Sequence, residues 1–348
     1  MIDKLMISGL KSIDEITINC SNLNLLLGIN STGKSTVLQS ILLLAQNADE
    51  LSGANGPMVS LGEYREIKNY NINKSKIEIQ IEEEKEIFGV TISEDSCCNS
   101  FSSSMPKLKE KMDYVKGHVK YLSCNRIGSR DIYGKDMSSQ NGVGINGEYA
   151  VDVLRKKGNR PVPMEICASL VSFTLNEQVN YWLKYIMNAN VMVEDILGTD
   201  SVKAAYSLVK DKYSRPKNVG SGISFIISII VMCLDSEKED ALLIENPEIH
   251  LHPLAQSRLC EFLYFIGNSE RQLFIETHSD HIFNGIRAGI AQNTMNEEKV
   301  NINFFDMNEK NCTECHEVKF GKYGKILNPV KNLFDQFEID LDKMLGIE

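Results

Sequence analysis

One short stretch constrains this 348-residue chain more than any other feature: residues 28–36 read GINSTGKST and match the pattern G-x-x-x-x-G-K-[ST] without exception. An apolar run at residues 23–27 (LNLLL) predicts a buried strand before it, and residues 36–44 (TVLQSILLL) predict a helix after it. A strand, a glycine-rich turn and a helix N-terminus form an anion cradle, because backbone N–H groups converge there and the helix dipole adds positive potential. The pattern predicts a nucleoside triphosphate site.

Two side chains of this phosphate loop have chemistry that can be assigned from their position in the pattern. The Lys34 ammonium is expected to reach the β- and γ-phosphates, and the Ser35 hydroxyl to ligate Mg²⁺. We therefore expect ATP and Mg²⁺ as ligands. The predicted phosphate-binding set is Asn30, Ser31, Thr32, Gly33, Lys34, Ser35 and Thr36.

Charge and composition narrow the possible partners. The net charge of −10 and the pI near 5.3 argue against a protein that coats nucleic acid through bulk positive charge, although a local basic face stays possible. The N-terminus lacks a signal-peptide layout, and the longest nearly unbroken apolar run, residues 223–234, is too short to span a bilayer. Nine cysteines, an odd number, suggest reduced thiols. We expect a cytoplasmic protein with no membrane contact.

Hydrophobic periodicity predicts the order of the elements. Residues 76–93 alternate and predict a β-hairpin, whereas residues 97–107 are rich in Ser and Asn and predict a mobile loop. Residues 147–190 indicate mostly helices, and residues 191–213 fit either strands or a helix. From residue 222 onward helices and strands alternate, which implies a largely parallel sheet covered by helices.

A cysteine motif near the C-terminus weakly resembles a haem-attachment motif. Residues 312–316 (CTECH) match the spacing C-x-x-C-H. That chemistry belongs to exported proteins, and a lone C-x-x-C supplies only two of the four ligands of a zinc site. We therefore interpret this segment as a loop between two strands.

A second apolar stretch ends in a carboxylate. Residues 241–245 (ALLIE) predict a buried strand that carries Glu245 at its C-terminal end, where doubly wound sheets place their ligands. There Glu245 is a candidate to hold Mg²⁺ through water. Taken alone, these residues also fit an ordinary core strand followed by a surface charge.

Three neighbouring segments favour the catalytic interpretation. Residues 246–253 (NPEIHLHP) follow the strand directly, and residues 274–279 (FIETHS) predict a strand that ends in His278. Residues 218–224 (NVGSGIS) open a helix shortly before the Glu245 strand. A glycine-rich helix N-terminus is itself an anion site.

In this order the segments resemble the ABC-type branch of P-loop proteins and, more closely, the SMC/RecF/OLD-like AAA ATPases of bacteria. Residues 8–13 (SGLKSI) resemble the start of these ATPases. Three further segments resemble a stand-alone bacterial subfamily that has a C-terminal domain of unassigned activity and no Toprim nuclease domain: 126–128, 147–149 and 334–336. The resemblance covers nearly the whole chain.

The resemblance implies an α/β fold: a P-loop NTPase with an ABC-ATPase-like head, in which a mixed sheet is flanked by helices, plus an antiparallel β portion and a helical insertion. We expect an N-terminal ATPase lobe with the phosphate loop and β subdomain at residues 1–146 and a mostly helical insertion at residues 147–217. A C-terminal ATPase lobe follows at residues 218–310, and a C-terminal extension at residues 311–348.

The resemblance also implies roles for individual residues. Glu245 would be the Walker B acid that acts with Ser35 on Mg²⁺, and His278 the switch histidine that senses the γ-phosphate. The signature loop would contact ATP bound to the opposite subunit; its residues are Gly220, Ser221 and Gly222. Lys11 and Ser12 are candidates for the adenine pocket. His250 and His252 fall in the dimer-facing D-loop region, and with no third ligand in view we do not assign them a metal.

One position departs from the family pattern. Alignment on Pro247 puts Asn246 where most relatives carry the catalytic glutamate, and an amide cannot accept a proton from the attacking water. Two hypotheses follow. Either Glu248 or Glu245 substitutes as the base, or hydrolysis is slow and ATP acts mainly as a dimer clamp.

We therefore expect an ATP-gated homodimeric ATPase that senses or regulates in bacterial antiphage defence or DNA maintenance, together with a separate effector protein. DNA contact stays possible without support from the net charge. An ATPase subunit of a membrane transporter would instead predict an L-S-G-G-Q signature, from which residues 218–224 depart. A self-sufficient nuclease or toxin would need another catalytic domain, for which the 70 residues after His278 are too few.

Overall fold

The computed structural model describes residues 1–72, 74–101, 107–113, 116–137, 142–209, 212–328 and 330–346. Its strands are β1 Lys4–Ser8, β2 Glu15–Asn19, β3 Leu23–Gly28, β4 Ile77–Glu83, β5 Glu86–Ile92, β6 Cys97–Phe101, β7 Val119–Leu122, β8 Tyr133–Gly134, β9 Asn190–Ile196, β10 Ser201–Val209, β11 Lys212–Ser214, β12 Ala241–Glu245, β13 Gln272–Glu276, β14 Val300–Met307 and β15 Thr313–Glu317. Its helices are α1 Lys34–Gln46, α2 Tyr64–Ile67, α3 Lys107–Met112, α4 Ala150–Lys157, α5 Leu175–Met187, α6 Gly222–Leu234, α7 Pro253–Gly267, α8 Asp280–Ala291 and α9 Gln336–Leu345.

A six-stranded sheet in the order β15-β14-β3-β13-β12-β7 forms the centre of the molecule. All of its neighbours pair in parallel except β15, which is antiparallel to β14 at one edge. The carboxyl ends of parallel strands meet at one edge of the sheet. This edge carries Gly28 at the end of β3, Glu276 at the end of β13 and Glu245 at the end of β12.

Both faces of the central sheet are covered, as expected for a parallel sheet. In β3, Leu25 and Leu27 enter a core that they share with helices α4 to α8. Leu26 points to the opposite face and joins a second core with α1 and an antiparallel sheet. The period-2 alternation of a strand therefore divides one apolar run between two cores.

The antiparallel sheet behind α1 has the strand order β2-β1-β4-β5-β6. Ile77, Ile79 and Ile81 of β4 are fully buried, whereas Glu78 between them is exposed. β4 and β5 form the hairpin that the alternation in residues 76–93 predicts, and the sequence-based prediction is confirmed. A third, smaller sheet joins β8, β9, β10 and β11.

Two predicted loops are wrong. β6 occupies the start of residues 97–107 and pairs with β5, while residues 102–106 of that segment lie outside the described residues. The last four residues of the cysteine motif, 313–316, lie in β15 instead of a loop, with Thr313 buried and Glu314 exposed. Both segments are polar strands at sheet edges, where apolar alternation is weak because one side of the strand faces solvent.

The segment predicted as a mostly helical insertion, residues 147–217, is mixed. It contains α4 and α5 but also β9, β10 and β11. Residues 191–213 fit either strands or a helix by sequence, and their described part forms β9, β10 and the start of β11. In β10 every second side chain, Val202, Ala204 and Tyr206, points into the core beside α4 and α5. Among the described residues, no helix combines the length and apolar character needed to cross a membrane.

Gly28 ends β3 at a point where only glycine fits. Its φ is +142°, and a Cβ built there would lie 2.2 Å from the carbonyl oxygen of Phe305 in the adjacent strand β14. A side chain would therefore push apart two strands of the central sheet at the start of the phosphate loop.

We predict that Gly28→Ala lowers the free energy of unfolding by at least about 2 kcal/mol, because it combines backbone strain with a steric clash. Urea denaturation measures this loss. Gly53→Ala is the matched control: Gly53 also has a positive φ, +64°, but its Cβ would meet no atom within 4 Å. That change should cost about 1 kcal/mol, and equal losses in both variants would contradict the steric explanation.

Candidate functional site

The loop between β3 and α1 keeps a closed shape through its own contacts. The Lys34 ammonium donates hydrogen bonds to the carbonyl oxygens of Gly28 (2.9 Å) and Ile29 (2.6 Å). The Thr32 hydroxyl also donates to Ile29, at 2.8 Å. Lys34 is buried, and desolvation lowers the pKa of its ammonium while the nearby Glu276 opposes that shift. A buried ammonium that faces a glycine-rich helix N-terminus favours an anionic ligand.

The loop lines a cavity of about 590 Å³, within the range of roughly 300–1,000 Å³ that is typical of small-molecule sites. The structure brings every predicted phosphate-binding residue to this cavity, together with the Lys11 and Ser12 that the resemblance suggested. Its lining residues are Lys11, Ser12, Asn30, Ser31, Thr32, Gly33, Lys34, Ser35, Thr36, Gln39, Glu276 and His278.

The sequence analysis does not name two of these lining residues, Gln39 and Glu276, and Glu276 is the one that contacts the phosphate loop. The Ser35 hydroxyl donates to Glu276 Oε1 at 2.8 Å. Glu276 is only 5% exposed, and its other carboxyl oxygen is buried without a hydrogen-bond partner. Burial raises the pKa of Glu276 to about 7. The sequence carries a signal for it, because Glu276 is an acidic residue two positions before His278, after the apolar residues of β13.

The structure does not bring Glu245 to Ser35. The Glu245 carboxylate accepts hydrogen bonds from the Tyr121 hydroxyl (2.8 Å) and from the Cys124 N–H (2.9 Å), so both of its oxygens have partners. Tyr121 belongs to β7, on the far side of β12 from the phosphate loop. The carboxylate that contacts Ser35 is that of Glu276.

A buried arginine fixes the turn after β12. Arg126 is 4% exposed, and its guanidinium donates to the carbonyl oxygens of Glu245 (2.6 Å) and Asn246 (2.5 Å). Asn246 has a φ of +42°, and its side-chain oxygen is buried without a hydrogen-bond partner. Contacts to its backbone therefore hold Asn246 in place, at the position where most relatives carry a glutamate. Its side-chain oxygen has no hydrogen-bond partner.

Glu248 lies against His278, the predicted switch histidine. Its carboxylate accepts from the Thr277 hydroxyl and from the His278 N–H, both at 2.8 Å. The His278 side chain lines the cavity, where desolvation and the nearby Lys34 lower the pKa of its imidazole. The predicted catalytic residues are Glu245, Glu248 and His278, and a hydrogen bond joins two of them, Glu248 and His278.

The two remaining histidines of this region have structural contacts. The His250 ring packs against Phe225 with centroids 4.6 Å apart, and His252 accepts from the Leu254 N–H at the start of α7. Across the described part of the chain, no group of three His, Cys, Asp or Glu side chains is arranged as a metal cage. A Mg²⁺ ion bound mainly by phosphate oxygens does not need such a cage.

The predicted signature loop lies outside the cavity. Gly220 and Ser221 are exposed, and Gly222 is buried at the start of α6 against the His250 carbonyl. Residues 218–224 are not among the lining residues of the phosphate-loop cavity. Within one chain, therefore, the two predicted parts of the nucleotide site do not share a pocket.

A protein-family model described as an AAA ATPase domain matches residues 1–141 and 167–283. The chain belongs to the AAA ATPase domain family. No curated protein matches it.

Solved structures with the same fold are heads of SMC proteins. An SMC head bound to the C-winged helix domain of ScpA is 12% identical, with a TM-score of 0.58 over 91% of this chain and 97% of that one. The SMC head of Thermotoga maritima is 10% identical, with a TM-score of 0.50 over 91% and 99% of the two chains. An SMC head from Pyrococcus furiosus is 11% identical, with a TM-score of 0.56 over 99% of both chains.

Family and fold together confirm the ABC-type, SMC/RecF-like branch of AAA ATPases that the motifs predict. They also confirm the fold class, an α/β ATPase head with a mixed sheet flanked by helices. At sequence identities of 10–12%, the solved SMC heads are evidence for the fold alone.

The residues present fit a Mg–nucleotide complex. The loop supplies a buried cation and N–H groups for phosphates, and Ser35 and Glu276 supply hard oxygen donors of the kind that Mg²⁺ prefers. The unpartnered oxygen of Glu276 is the strongest sign that this AAA ATPase domain is built to receive a further group there.

The raised pKa of Glu276 predicts a pH-dependent stability. Its pKa of about 7 in the folded protein lies above its usual value of 4.5, so the folded state binds more protons between these values and the wild type loses stability as pH rises through this window. Without nucleotide and in EDTA, we expect Glu276→Gln to raise the melting temperature at pH 8 and to leave it nearly unchanged at pH 5. Thermal unfolding followed by circular dichroism measures both values.

Glu50→Gln removes an exposed carboxylate and is the control, which should not change the melting temperature at either pH. A stabilisation of Glu276→Gln that is equal at pH 5 and pH 8 would show that amide packing, and not the buried charge, is responsible.

Proposed function

We propose that this protein is an ATP-binding and ATP-hydrolysing homodimer in which two copies close face to face on two nucleotides. Each nucleotide would lie between the Lys34 loop of one copy and the loop of Gly220, Ser221 and Gly222 of the other. Charge-assisted hydrogen bonds to the γ-phosphate, which exist only in the closed pair, would supply the energy for closure.

The observation that carries this proposal is the separation of the two half-sites. The cavity holds Lys34, Ser35 and His278, but none of residues 218–224 lines it. Gly220 and Ser221 nonetheless stay exposed at the N-terminus of a 13-residue helix, α6. An exposed glycine-rich helix start can contact phosphate oxygens of a ligand held by another molecule.

Mg²⁺ would be held by Ser35 with an adjacent carboxylate, and the metal would neutralise charge on the β- and γ-phosphates. Around it, Lys34 would bind the phosphates, and His278 would sense the γ-phosphate from the cavity wall. Glu248 acts on His278 by fixing its backbone, since it accepts the His278 N–H. Among these residues, Glu248 is a positioning residue in the present geometry.

Hydrolysis is expected to be slow. Both oxygens of Glu245 and both oxygens of Glu248 already accept hydrogen bonds, and Asn246 cannot accept a proton. These contacts support the hypothesis that ATP acts mainly as a dimer clamp, over the hypothesis that Glu245 or Glu248 replaces the base.

We further propose that the clamp is a nucleotide-gated sensor or regulator that acts with a separate effector in bacterial antiphage defence or DNA maintenance. The motif resemblance to bacterial SMC/RecF/OLD-like ATPases supports this role. The solved SMC head bound to a domain of ScpA shows that this fold can carry a separate protein. Copurification from the native host, with mass spectrometry of bound protein and nucleic acid, identifies the effector.

The sandwich predicts different defects for two variants. Lys34→Ala should lose nucleotide binding, because the loop loses its buried cation. Ser221→Arg should bind nucleotide as the wild type does but stay monomeric with ATP and Mg²⁺, because the larger side chain blocks closure. Fluorescent-nucleotide titration measures binding, and light scattering after size-exclusion chromatography measures the oligomeric state.

Ser172→Arg places the same side chain at another exposed serine, before α5, and is the matched control that should still dimerise. ATP-dependent dimers of both Lys34→Ala and Ser221→Arg would rule out the sandwich.

The clamp hypothesis predicts the turnover. The wild type should hydrolyse ATP well below the ~10 s⁻¹ that is the median for enzymes. Asn246→Glu restores a carboxylate at the position where most relatives carry the catalytic glutamate. It should raise the hydrolysis rate about 10²-fold, the contribution of a general base. Phosphate release measures the rate.

Asn246→Gln keeps the amide on a longer side chain and should give no increase. If the wild type turned over many times per second and neither Glu248→Gln nor Glu245→Gln slowed it, both the clamp and the substitute-base hypotheses would be wrong.

A further inference from the structure

Strand β7 lies at one end of the central sheet, and among the described residues it pairs with β12 alone. We propose that the outer edge of β7 and the cavity beside it, together the β7 groove, bind one extended segment of a partner protein, which adds to the sheet as a further strand. This inference goes beyond the proposed function, because none of the residues that line the β7 groove lines the nucleotide cavity.

The direction of the backbone groups in β7 follows from one hydrogen bond. The Ala241 N–H donates to the His118 carbonyl oxygen at 2.8 Å, so the backbone polar groups of His118 face β12. Along a strand, these groups alternate between the two neighbouring sides. Those of Val119 and Tyr121 therefore face away from β12, toward the open edge.

The next outward residue agrees with this direction, since the Ser123 N–H donates to the Ile145 carbonyl oxygen, outside β12, at 2.9 Å. Within the described ranges, by contrast, the N–H and C=O groups of Val119 and Tyr121 have no hydrogen-bond partner. Val119 is only 4% exposed. Backbone groups at such positions are nearly always paired in folded proteins, so this edge indicates a strand that is still to bind.

A cavity of about 440 Å³ runs along this edge, and its lining includes all of residues 116–121. Its walls lie on opposite faces of the sheet. Met58 is on one wall and packs against the core behind α1, whereas Met232 is on the other and belongs to the core with helices α4 to α8. The edge is therefore recessed. A slender segment that follows β7 for about 13 Å fits there, whereas the folded body of a second copy does not.

The chemistry of the two walls indicates which side chains the segment carries. The wall at Met58 is apolar. The opposite wall carries ion pairs, Lys157 with Asp235 at 2.6 Å and Lys120 with Asp240 at 2.8 Å. Successive side chains of an added strand point to opposite faces of the sheet. The segment that fits the β7 groove therefore alternates apolar and polar residues.

The charged residues of this edge do not protect it against pairing. Lysines on an edge strand commonly prevent the addition of another strand. Here, however, the Lys120 ammonium lies 2.8 Å from Asp240, which is only 1% exposed, and His118 Nδ1 lies 3.0 Å from the same carboxylate. Both side chains are thus held against the protein's own face, and the backbone edge between them stays accessible from the cavity.

The test uses the full chain and a synthetic pool of hexapeptides in which Val, Ile or Phe alternates with Lys, Glu or Thr. Affinity selection with mass spectrometry identifies the peptides that the wild type retains, and isothermal titration calorimetry measures their affinity. We expect retained peptides from this pool, and none from a second pool of the same composition in which the apolar residues form one block. An N-methylated form of a retained peptide, which lacks the N–H groups that face β7, should bind about 10-fold or more weakly.

Hydrogen exchange of single amides, measured by NMR, locates the bound peptide. A retained peptide should slow the exchange of the Val119 and Tyr121 N–H groups, because both become hydrogen-bonded. The Lys120 N–H faces β12 and should not change, which makes it the internal control.

Two variants of one residue test the same contact from the protein side. Val119→Pro removes an outward N–H without removing a bond to β12, and should weaken the binding of a retained peptide about 10-fold. Val119→Ala also shortens the side chain but keeps the N–H, so it is the matched control and should bind as the wild type does. Circular dichroism shows whether each variant is folded. If Val119→Pro does not fold, the N-methylated peptide tests the same hydrogen bonds on the wild type.

Several results would overturn the proposal. They are a pool from which the wild type retains nothing, equal retention from the blocked pool, and a peptide whose binding changes neither with N-methylation nor the exchange of Val119 and Tyr121. A nucleotide-free dimer that the peptide dissociates would instead assign the edge to a second copy. Lys34→Ala should bind the peptide as the wild type does, so a failure here leaves the proposed nucleotide function unaffected.

Discussion

Hydrogen bonds between β3 and β13 hold Leu25 opposite Ile275 and Leu26 opposite Glu276. This register brings the end of β13 level with the start of the phosphate loop. A slip by one residue would turn Glu276 into one of the two cores and Ile275 toward the loop, since successive side chains of a strand point to opposite faces. The meeting of Ser35 and Glu276 therefore depends on a pairing of apolar strands.

The two hydrophobic cores maintain that register. Leu273 and Ile275 of β13 pack into the core with helices α4 to α8, and Phe274 packs into the core behind α1. A strand that is anchored on both faces cannot slide without exposing apolar side chains or burying polar ones. The rigid position of the site is thus a consequence of burial on both sides of the sheet.

The parts of the fold that were predictable from sequence carry local signals. The phosphate loop has a fixed spacing, α6 has a nearly unbroken apolar run, and β4 alternates apolar and polar residues from Ile77 to Glu82, so each is specified by residues that are close together in the chain. Edge strands such as β6 and β15 lack those signals, because their outer side chains face solvent and are polar. Segments of this kind take their structure from the neighbouring strand.

The residues of the candidate site show the same contrast between local signals and contacts that are distant in sequence. Lys34 and Ser35 follow from a contiguous motif, but the contact of Ser35 with Glu276 joins residues 241 positions apart. Along the chain, β12 with Glu245 at its end comes before β13. In the sheet, however, β13 lies between β12 and β3, the strand that leads into the phosphate loop. Strand order depends on the packing of the whole sheet, so it could not be read from either segment alone.

The hydrogen bonds from Lys34 to the Gly28 and Ile29 carbonyl groups have a consequence for kinetics. They keep the loop preorganised, with its cation already facing inward, so that an incoming triphosphate exchanges one set of oxygen acceptors for another. Little conformational entropy is then lost on association, and no slow ordering step precedes it. Nucleotides should accordingly differ in affinity through their dissociation rates, because they share a common association rate.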